Sequence, residues 1–362
     1  MKVPYLDLSV KDQKLKANLI DAVDRVLSHG RIVLGPEVAE FEQLIAQMCG
    51  RKYAVGVSSG TDALYVALKS LGIGPGDEVI TTPMSWIATL NAIIVLGAKP
   101  VFVDIDTDLN IDSKKIVDAI TSRTKAILPV HYTGNMCDMK AICAIAEDHD
   151  LLVIEDAAQA FGAHNSYGAA GHFGEVACFS MNAMKVLHSY GEAGVVLTDD
   201  ELVRDKIEAL RYAGTVNRED CVTPSLNFRM HTIQAAMLLV ELDRLDLIIE
   251  KRRSIAKYYQ NVLGDVVVCP TYDNSSHSVF YTYTIQVDKR DELIEFLREH
   301  NIETKIHHSI LMPYHTAYKG IFTPEIPVAE KMVQRILSIP NHENMTDDAL
   351  DYVSSKILEF YR

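Results

Sequence analysis

The sequence has no long apolar run, no paired-cysteine motif and no excess of positive charge, and each absence narrows the possible functions. No stretch reaches about 18 consecutive apolar residues, so no membrane span is expected. The N-terminus also lacks the uninterrupted apolar core of a signal peptide. The six cysteines form no C-x-x-C pair, which argues against a zinc or redox motif and suits a reducing cytoplasm. A net charge of −14 argues against nucleic acid or an anionic membrane as partner.

The composition is that of an ordinary globular protein, with 48% hydrophobic and 23% charged residues among 362. Segments typical of strands and helices alternate over the first two thirds of the chain. The strand segments are apolar on both faces, which indicates a mostly parallel sheet covered by helices, an α/β fold. Strands are predicted at 53–57, 78–82, 100–103, 126–130 and 151–154, with further ones at 176–181 and 195–197.

We predict a domain boundary near residues 240–250, where the alternation of strands and helices gives way to a long helical stretch. The stretch 231–260 has the pattern of one long helix that leaves the first domain. Beyond it, 279–287 alternates like a half-exposed antiparallel strand, and helices are predicted at 290–300 and 347–361. We therefore expect a large domain over 1–245 and a smaller α+β domain over 246–362.

The stretch FSMNAMKVLHSYGEAG (179–194) places Lys185 in a short loop between two segments that are expected to be buried. In an open parallel sheet, ligands bind beyond the carboxyl ends of the strands. A lysine at that edge is a candidate for covalent chemistry.

Three other predicted strands are followed by residues that can bind a ligand, although each has a simpler explanation. Ser58–Leu64 (SSGTDAL) can cradle a phosphate at a helix N-terminus, or merely cap that helix. Trp86, the single tryptophan, can stack on a flat ring or belong to the core. Asp156, next to Glu155 behind an apolar strand, can pair with a cationic ring nitrogen or cap a helix.

Together with Ser180, these residues meet the needs of one cofactor, pyridoxal 5′-phosphate (PLP). PLP requires a lysine for covalent attachment and a carboxylate beside its pyridinium nitrogen. It also requires donors for its phosphate and a flat group against its ring. No metal site is predicted.

The chain resembles the DegT/DnrJ/EryC1/StrS family of sugar aminotransferases, which share the fold-type I architecture of aspartate aminotransferase. Seven stretches carry the resemblance, and they follow the family order over nearly the whole chain. They are GRIVLGPEVAEFE (30–42), SSGTDAL (58–64), GDEVITTPMSWIATLNAI (76–93), VIEDAAQAFGA (153–163), CFSMNAMK (178–185), GEAG (191–194) and NFRMHTIQAA (227–236).

The resemblance implies a role for each candidate. Lys185 would bind the cofactor covalently, Asp156 would pair with the pyridinium nitrogen, Gln159 would lie by the phenolic oxygen and Trp86 would stack on the ring. Phosphate contacts are implied for Gly60, Thr61 and Ser180, and for Asn227 across a homodimer interface.

The family's members usually transfer an amino group from L-glutamate to a nucleotide-linked keto-deoxy sugar, for polysaccharide, glycan or secondary-metabolite biosynthesis. Relatives with histidine in place of the lysine are dehydratases, so Lys185 favours transamination. Gly191 follows Lys185 by six positions, a spacing associated with amination at sugar C3, whereas NFRM (227–230) resembles the C4-aminating members. The carbon that is aminated stays open.

This chain also departs from the family pattern. SMNAMK and GEAG replace the common S-F-H-P-x-K and G-E-G-G, and His307-His308-Ser309 replaces H-Y-P. Possible substrate contacts are His188, His307, His308 and His315, although His188 can equally be an ordinary loop residue.

Two other functions are compatible with these residues. The first is a PLP transaminase that acts on a phosphorylated ketone without a nucleotide. The second is a sensor that binds PLP without turnover, against which the retained Lys185, Asp156 and Gln159 argue.

Overall fold

A seven-stranded sheet lies at the centre of the protein, whose computed structural model describes residues 1–270 and 276–362. In chain order the strands are β1 (Tyr53–Val57), β2 (Glu78–Thr81), β3 (Lys99–Phe102), β4 (Thr124–Leu128), β5 (Leu152–Asp156), β6 (His164–Asn165), β7 (Gly168–Ala169), β8 (Val176–Ser180), β9 (Gly194–Thr198), β10 (Thr215–Val216), β11 (Asp220–Cys221), β12 (Tyr283–Gln286) and β13 (Ile336–Ile339).

The central sheet has the order β1-β9-β8-β5-β4-β2-β3 and is mostly parallel, as predicted. The exception is β9, which runs antiparallel to both of its neighbours, β1 and β8. The carboxyl ends of the parallel strands therefore meet at one edge, and the first residue of β9, Gly194, lies at that same edge beside Ser180.

Helices cover both faces of the sheet because its strands are apolar on both sides. On β5, for example, Val153 belongs to the core of one face and Ile154 to the core of the other. In the described ranges, none of the helices is long and apolar enough to cross a bilayer. The helices are α1 (Gln13–His29), α2 (Pro36–Met48), α3 (Gly60–Ser70), α4 (Ala88–Val95), α5 (Met139–Asp148), α6 (Glu201–Arg211), α7 (Thr232–Leu242), α8 (Leu245–Leu263), α9 (Arg290–Glu299), α10 (Pro327–Val333) and α11 (Asp347–Phe360).

The prediction of one continuous helix over 231–260 was wrong, because α7 and α8 are separated by a turn at Asp243 and Arg244. Side-chain contacts stabilise this turn. Glu241 is fully buried, and its carboxylate accepts hydrogen bonds from Arg244 (2.9 Å) and from the Tyr190 hydroxyl (2.6 Å). Hydrophobic periodicity does not reveal such a polar anchor.

A second hydrophobic core forms around the antiparallel pair β12–β13, with α9 and α11 packed against it. The predicted strand over 279–287 is thus confirmed in type, although β12 is shorter. Helix α8 contributes to both cores: Leu245, Ile248 and Ile249 pack with the sheet, while Ile255 and Tyr259 pack in the second core. A domain division near residue 245 stays a prediction.

Candidate active site

Lys185 lies in the loop that connects β8 and β9. Backbone hydrogen bonds join the two ends of this loop. The backbone N–H of Met181 donates to the carbonyl of Ala193 (2.8 Å), and Ala183 donates to Gly191 (3.0 Å). Val186 and Leu187, which follow the lysine, are buried. The loop between buried segments that the sequence predicted is therefore present, and it lies at the edge where the carboxyl ends of the parallel strands meet.

The amine of Lys185 lies over an aromatic ring. Its Nζ atom is 4.4 Å from the ring centre of Tyr281, which precedes β12. Sequence reasoning missed Tyr281, because the alternating pattern of VFYTYTIQV indicates only a strand and says nothing about which loop of the first domain it meets.

Asp156 is the last residue of β5, and its carboxyl group is almost completely buried. Oδ2 accepts a hydrogen bond from the Thr89 hydroxyl (2.7 Å) and Oδ1 accepts one from the Ala158 N–H (3.2 Å). Burial raises the pKa of Asp156, although these hydrogen bonds and the charge of Lys185 oppose the rise. A cationic group beside this carboxyl would stabilise its ionised form.

The structure excludes the simpler explanation for Asp156 and the one for Trp86. A turn rather than an α-helix follows Asp156, so the carboxyl group does not cap a helix. Trp86 is 60% exposed and does not belong to a core. Its ring lies 6.0 Å from that of His308.

Gln159 is oriented by the backbone of the loop after β4. Its Oε1 accepts a hydrogen bond from the N–H of Thr133 (2.9 Å), a residue in the left-handed conformation (φ 60°). The amide oxygen of Gln159 thus already accepts a hydrogen bond within the protein. Its NH₂ group is the part of the side chain that can donate to a ligand.

The predicted phosphate cradle falls at the N-terminus of α3. The Ser59 hydroxyl caps the helix by accepting from the Asp62 N–H (3.1 Å), so the capping explanation is correct. Within the described chain, the N–H groups of Gly60 and Thr61 have no acceptor. A Cβ atom on Gly60 would lie 2.5 Å from the Cβ of Ser180, so only glycine lets the helix approach the end of β8 this closely.

His307 and His308 lie beside the amine of Lys185. The ring of His307 is 5.8 Å from Tyr132 and 5.4 Å from Tyr281. Burial and the nearby lysine charge lower the pKa of His307 well below its ordinary value and that of His308 to about 3, so both rings are neutral at pH 7. Neither ring nitrogen of His307 has a partner in the described part of the chain.

Three further predicted residues, His188, His315 and Asn227, have the following surroundings. His188 is buried against Tyr190 and lines a cleft with Arg244 and Glu343. His315 is half-buried, and its charge acts on His308. Asn227 is exposed, and its Oδ1 accepts from the Nε of Arg229 (2.7 Å).

Glu155, next to Asp156, faces away from this edge and serves the fold. Its carboxylate is fully buried, 2.8 Å from Nε2 of His131, and accepts from the backbone N–H groups of Gly171 (3.0 Å) and Phe173. The sequence placed two carboxylates behind β5 without distinguishing their roles.

Glu155→Ala is expected to lower the free energy of unfolding by about 3 kcal/mol or more, because the buried His131 ring, the buried Gly171 N–H and the half-buried Phe173 N–H lose their acceptor. Urea denaturation would measure the loss. Glu40→Ala, an exposed substitution on α2, is the control and should stay within about 0.5 kcal/mol of the wild type. A Glu155 variant as stable as this control would contradict the structural role.

The sequence matches the family model of the DegT/DnrJ/EryC1/StrS aminotransferase family over residues 13–358. A pleiotropic regulatory protein of Geobacillus stearothermophilus is 40% identical, over 100% of this chain and 99% of the relative. The UDP-2-acetamido-2-deoxy-3-oxo-D-glucuronate aminotransferase of Pseudomonas aeruginosa is 36% identical, over 98% of both chains.

Two solved structures have the same fold. DesV of S. venezuelae, solved in complex with a ketimine intermediate, superposes with a TM-score of 0.97 at 36% identity, over 100% of this chain and 99% of that one. NtdA of Bacillus subtilis, solved with bound cofactor PMP, gives 0.92 at 29% identity, over 99% and 85%. The family model, the relatives and the fold agree: this chain belongs to the DegT/DnrJ/EryC1/StrS aminotransferase family.

Proposed function

We propose that this protein is a PLP-dependent aminotransferase that moves the amino group of L-glutamate to the keto group of a nucleotide-linked keto-deoxy sugar. The observation that carries the proposal is the meeting of Lys185, Asp156 and the α3 cradle at one edge of the sheet. The substrate class follows from the relatives, of which the Pseudomonas aeruginosa protein is named for a UDP-linked 3-oxo sugar acid.

The residues at this edge fit PLP. Asp156 is a buried carboxyl group whose ionised form needs a cationic neighbour, and the pyridinium nitrogen would supply one. The unpartnered N–H groups of Gly60 and Thr61 suit a phosphate at a helix N-terminus. Trp86 presents an exposed ring, and the NH₂ group of Gln159 makes no hydrogen bond within the described residues.

When bound, PLP supplies an electron-accepting ring and carries the amino group from donor to acceptor. The residues of the chain do the rest. Lys185 Nζ holds the cofactor at rest and, once free, takes the proton from the Cα of glutamate and returns one to the aminated carbon of the sugar. Asp156 keeps the ring nitrogen protonated, and His307 and His308 contact the substrate as neutral hydrogen-bonding groups.

We further propose a homodimer in which Asn227 reaches the neighbouring subunit's phosphate site, since its side chain is exposed rather than directed to its own site. We also propose a cytoplasmic location, because the cysteine pattern suits a reducing compartment.

Substrate transfer can be tested directly. The PLP-loaded protein would be incubated with glutamate and a panel of keto-sugar nucleotides, and the products read by mass spectrometry. An aminated sugar nucleotide with equivalent 2-oxoglutarate supports the proposal. Amination of a phosphorylated ketone but of no nucleotide sugar would overturn the substrate class.

A sensor that binds PLP without turnover is the second candidate, and the name of the Geobacillus stearothermophilus relative favours it. Adding glutamate alone to the PLP-loaded protein distinguishes an aminotransferase from a sensor. Conversion of the lysine-bound cofactor's absorbance band to that of pyridoxamine phosphate supports the aminotransferase, whereas an unchanged spectrum supports the sensor.

Borohydride reduction of the loaded protein is expected to fix the cofactor on Lys185, because its amine lies at the sheet edge and its charge acts on Asp156. Peptide mass spectrometry would locate the adduct, and Lys185→Ala is the control that should carry none. An adduct on a different lysine would remove Lys185 from the proposed role.

A further inference from the structure

Tyr281 lies against Lys185 but has no role in the function proposed above. Its ring centre is 4.4 Å from the lysine Nζ atom. The face of an aromatic ring carries negative charge and attracts an ammonium group. This contact favours one position of the lysine amine over the many that its flexible side chain allows.

A buried arginine fixes the backbone that carries this ring. Nη1 of Arg252, on α8, donates to the carbonyl oxygens of Tyr281 (3.3 Å) and Asn341 (2.9 Å), while Nη2 pairs with Glu343 (3.1 Å). Arg252 is 2% exposed. Because Arg252 is paired with Glu343, that carboxylate neutralises its charge, and no group of the candidate active site is needed for this.

The other ionisable groups around Lys185 approach from different elements. Asp156 comes from the end of β5, and His307 and His308 come from the segment that also carries Lys305. His307 meets the Tyr281 ring edge to face, at 76°. With both histidines neutral, they do not compete with the lysine for the negative face of Tyr281.

We propose that Tyr281 is a positioning residue for Lys185: its ring face holds the protonated amine, the form of Lys185 that carries the transferred proton, and Arg252 fixes that ring. The inference rests on the proposed aminotransferase function. The contact needs the aromatic face and not the hydroxyl group, so phenylalanine should preserve it and an aliphatic side chain should remove it.

Steady-state kinetics with glutamate and an amino-accepting keto-sugar nucleotide test the proposal in the loaded enzyme. Tyr281→Leu is expected to lower kcat about 3- to 30-fold, with KM changed by less than about 2-fold, while Tyr281→Phe keeps kcat within about 2-fold of the wild type. Tyr167→Leu is the matched control, because Lys140 lies 4.9 Å above the exposed Tyr167 ring, and it should leave turnover unchanged.

A second measurement uses the full chain without cofactor. Brief acylation with acetic anhydride, read by peptide mass spectrometry, reports how accessible and uncharged each lysine amine is. Tyr281→Leu should increase labelling of Lys185 about 3-fold or more, while Tyr281→Phe should not. Tyr281→Met serves if the leucine variant fails to fold by circular dichroism.

The outcomes separate this inference from the proposed function. Wild-type labelling and turnover in the aliphatic variant would overturn the role of Tyr281, and so would a phenylalanine variant as impaired as the leucine one. A wild-type protein that transfers no amino group would overturn the proposed function, while the labelling result would still decide whether Tyr281 holds the amine.

Discussion

Asparagine in place of Asp156 is expected to slow amino transfer at least ~100-fold while PLP still binds, a barrier increase of ~3 kcal/mol or more. The carboxylate stabilises positive charge on the ring nitrogen, and an uncharged amide does not. The substitution preserves the shape of the site, since the asparagine oxygen can still accept from the Thr89 hydroxyl or the Ala158 N–H. Absorbance would give the cofactor content, and the speed of the absorbance change after glutamate is added would give the rate of amino transfer to the cofactor.

Asp138→Asn is the matched control for this charge removal. Asp138 caps α5 by accepting from the Ala141 N–H, and asparagine caps helices equally well. Its rate of amino transfer should equal that of the wild type. Near-normal activity of Asp156→Asn would show that the carboxylate serves the packing around Thr89 instead of the chemistry.

Mixing two inactive variants is expected to restore activity if the sites are shared between subunits. Lys185→Ala removes the amine, and Asn227→Ala removes the proposed phosphate contact from the neighbouring subunit. In a mixed dimer one site has both residues and the other has neither. With free exchange about half the dimers are mixed, so about a quarter of all sites become whole, by simple combination of two-fold dimers.

Activity would be followed after mixing, with subunit exchange verified by mass spectrometry of differently labelled chains. The control mixture is Lys185→Ala with Asp156→Asn, because both residues lie in the site of one chain and no mixed dimer has a whole site. Recovery in the control as well, or none in the test mixture despite exchange, would remove Asn227 from a shared site. An active monomer by gel filtration would do the same.

Local sequence patterns predicted the sheet and the location of Lys185 and Asp156, because both depend on where an apolar strand ends. The strand of 151–154 ends in polar residues, and that change marks the edge of the sheet. The structure was needed to separate Asp156 from Glu155, since adjacent strand residues point to opposite faces and only one face holds the ligand site.

Contacts between segments that are distant along the chain could not be predicted from the sequence. Tyr281 meets Lys185 because its segment, which precedes β12, packs against the core of the central sheet, and Arg252 meets Tyr281 through α8. The break between α7 and α8 depends on the buried Glu241 and its partners Tyr190 and Arg244. Each of these contacts joins elements whose relative position no local pattern specifies.

The sharing of α8 between the two cores has a mechanical consequence. A helix resists bending because each turn is tied to the next by backbone hydrogen bonds. Side chains of residues 245–249 pack in the core of the sheet, and side chains of residues 255–263 pack in the second core. The rigid helix α8 therefore connects the two cores. We therefore expect large movements of one core relative to the other to be restricted, and the proposed sugar nucleotide would enter at the rim of the proposed site, where Trp86 is exposed.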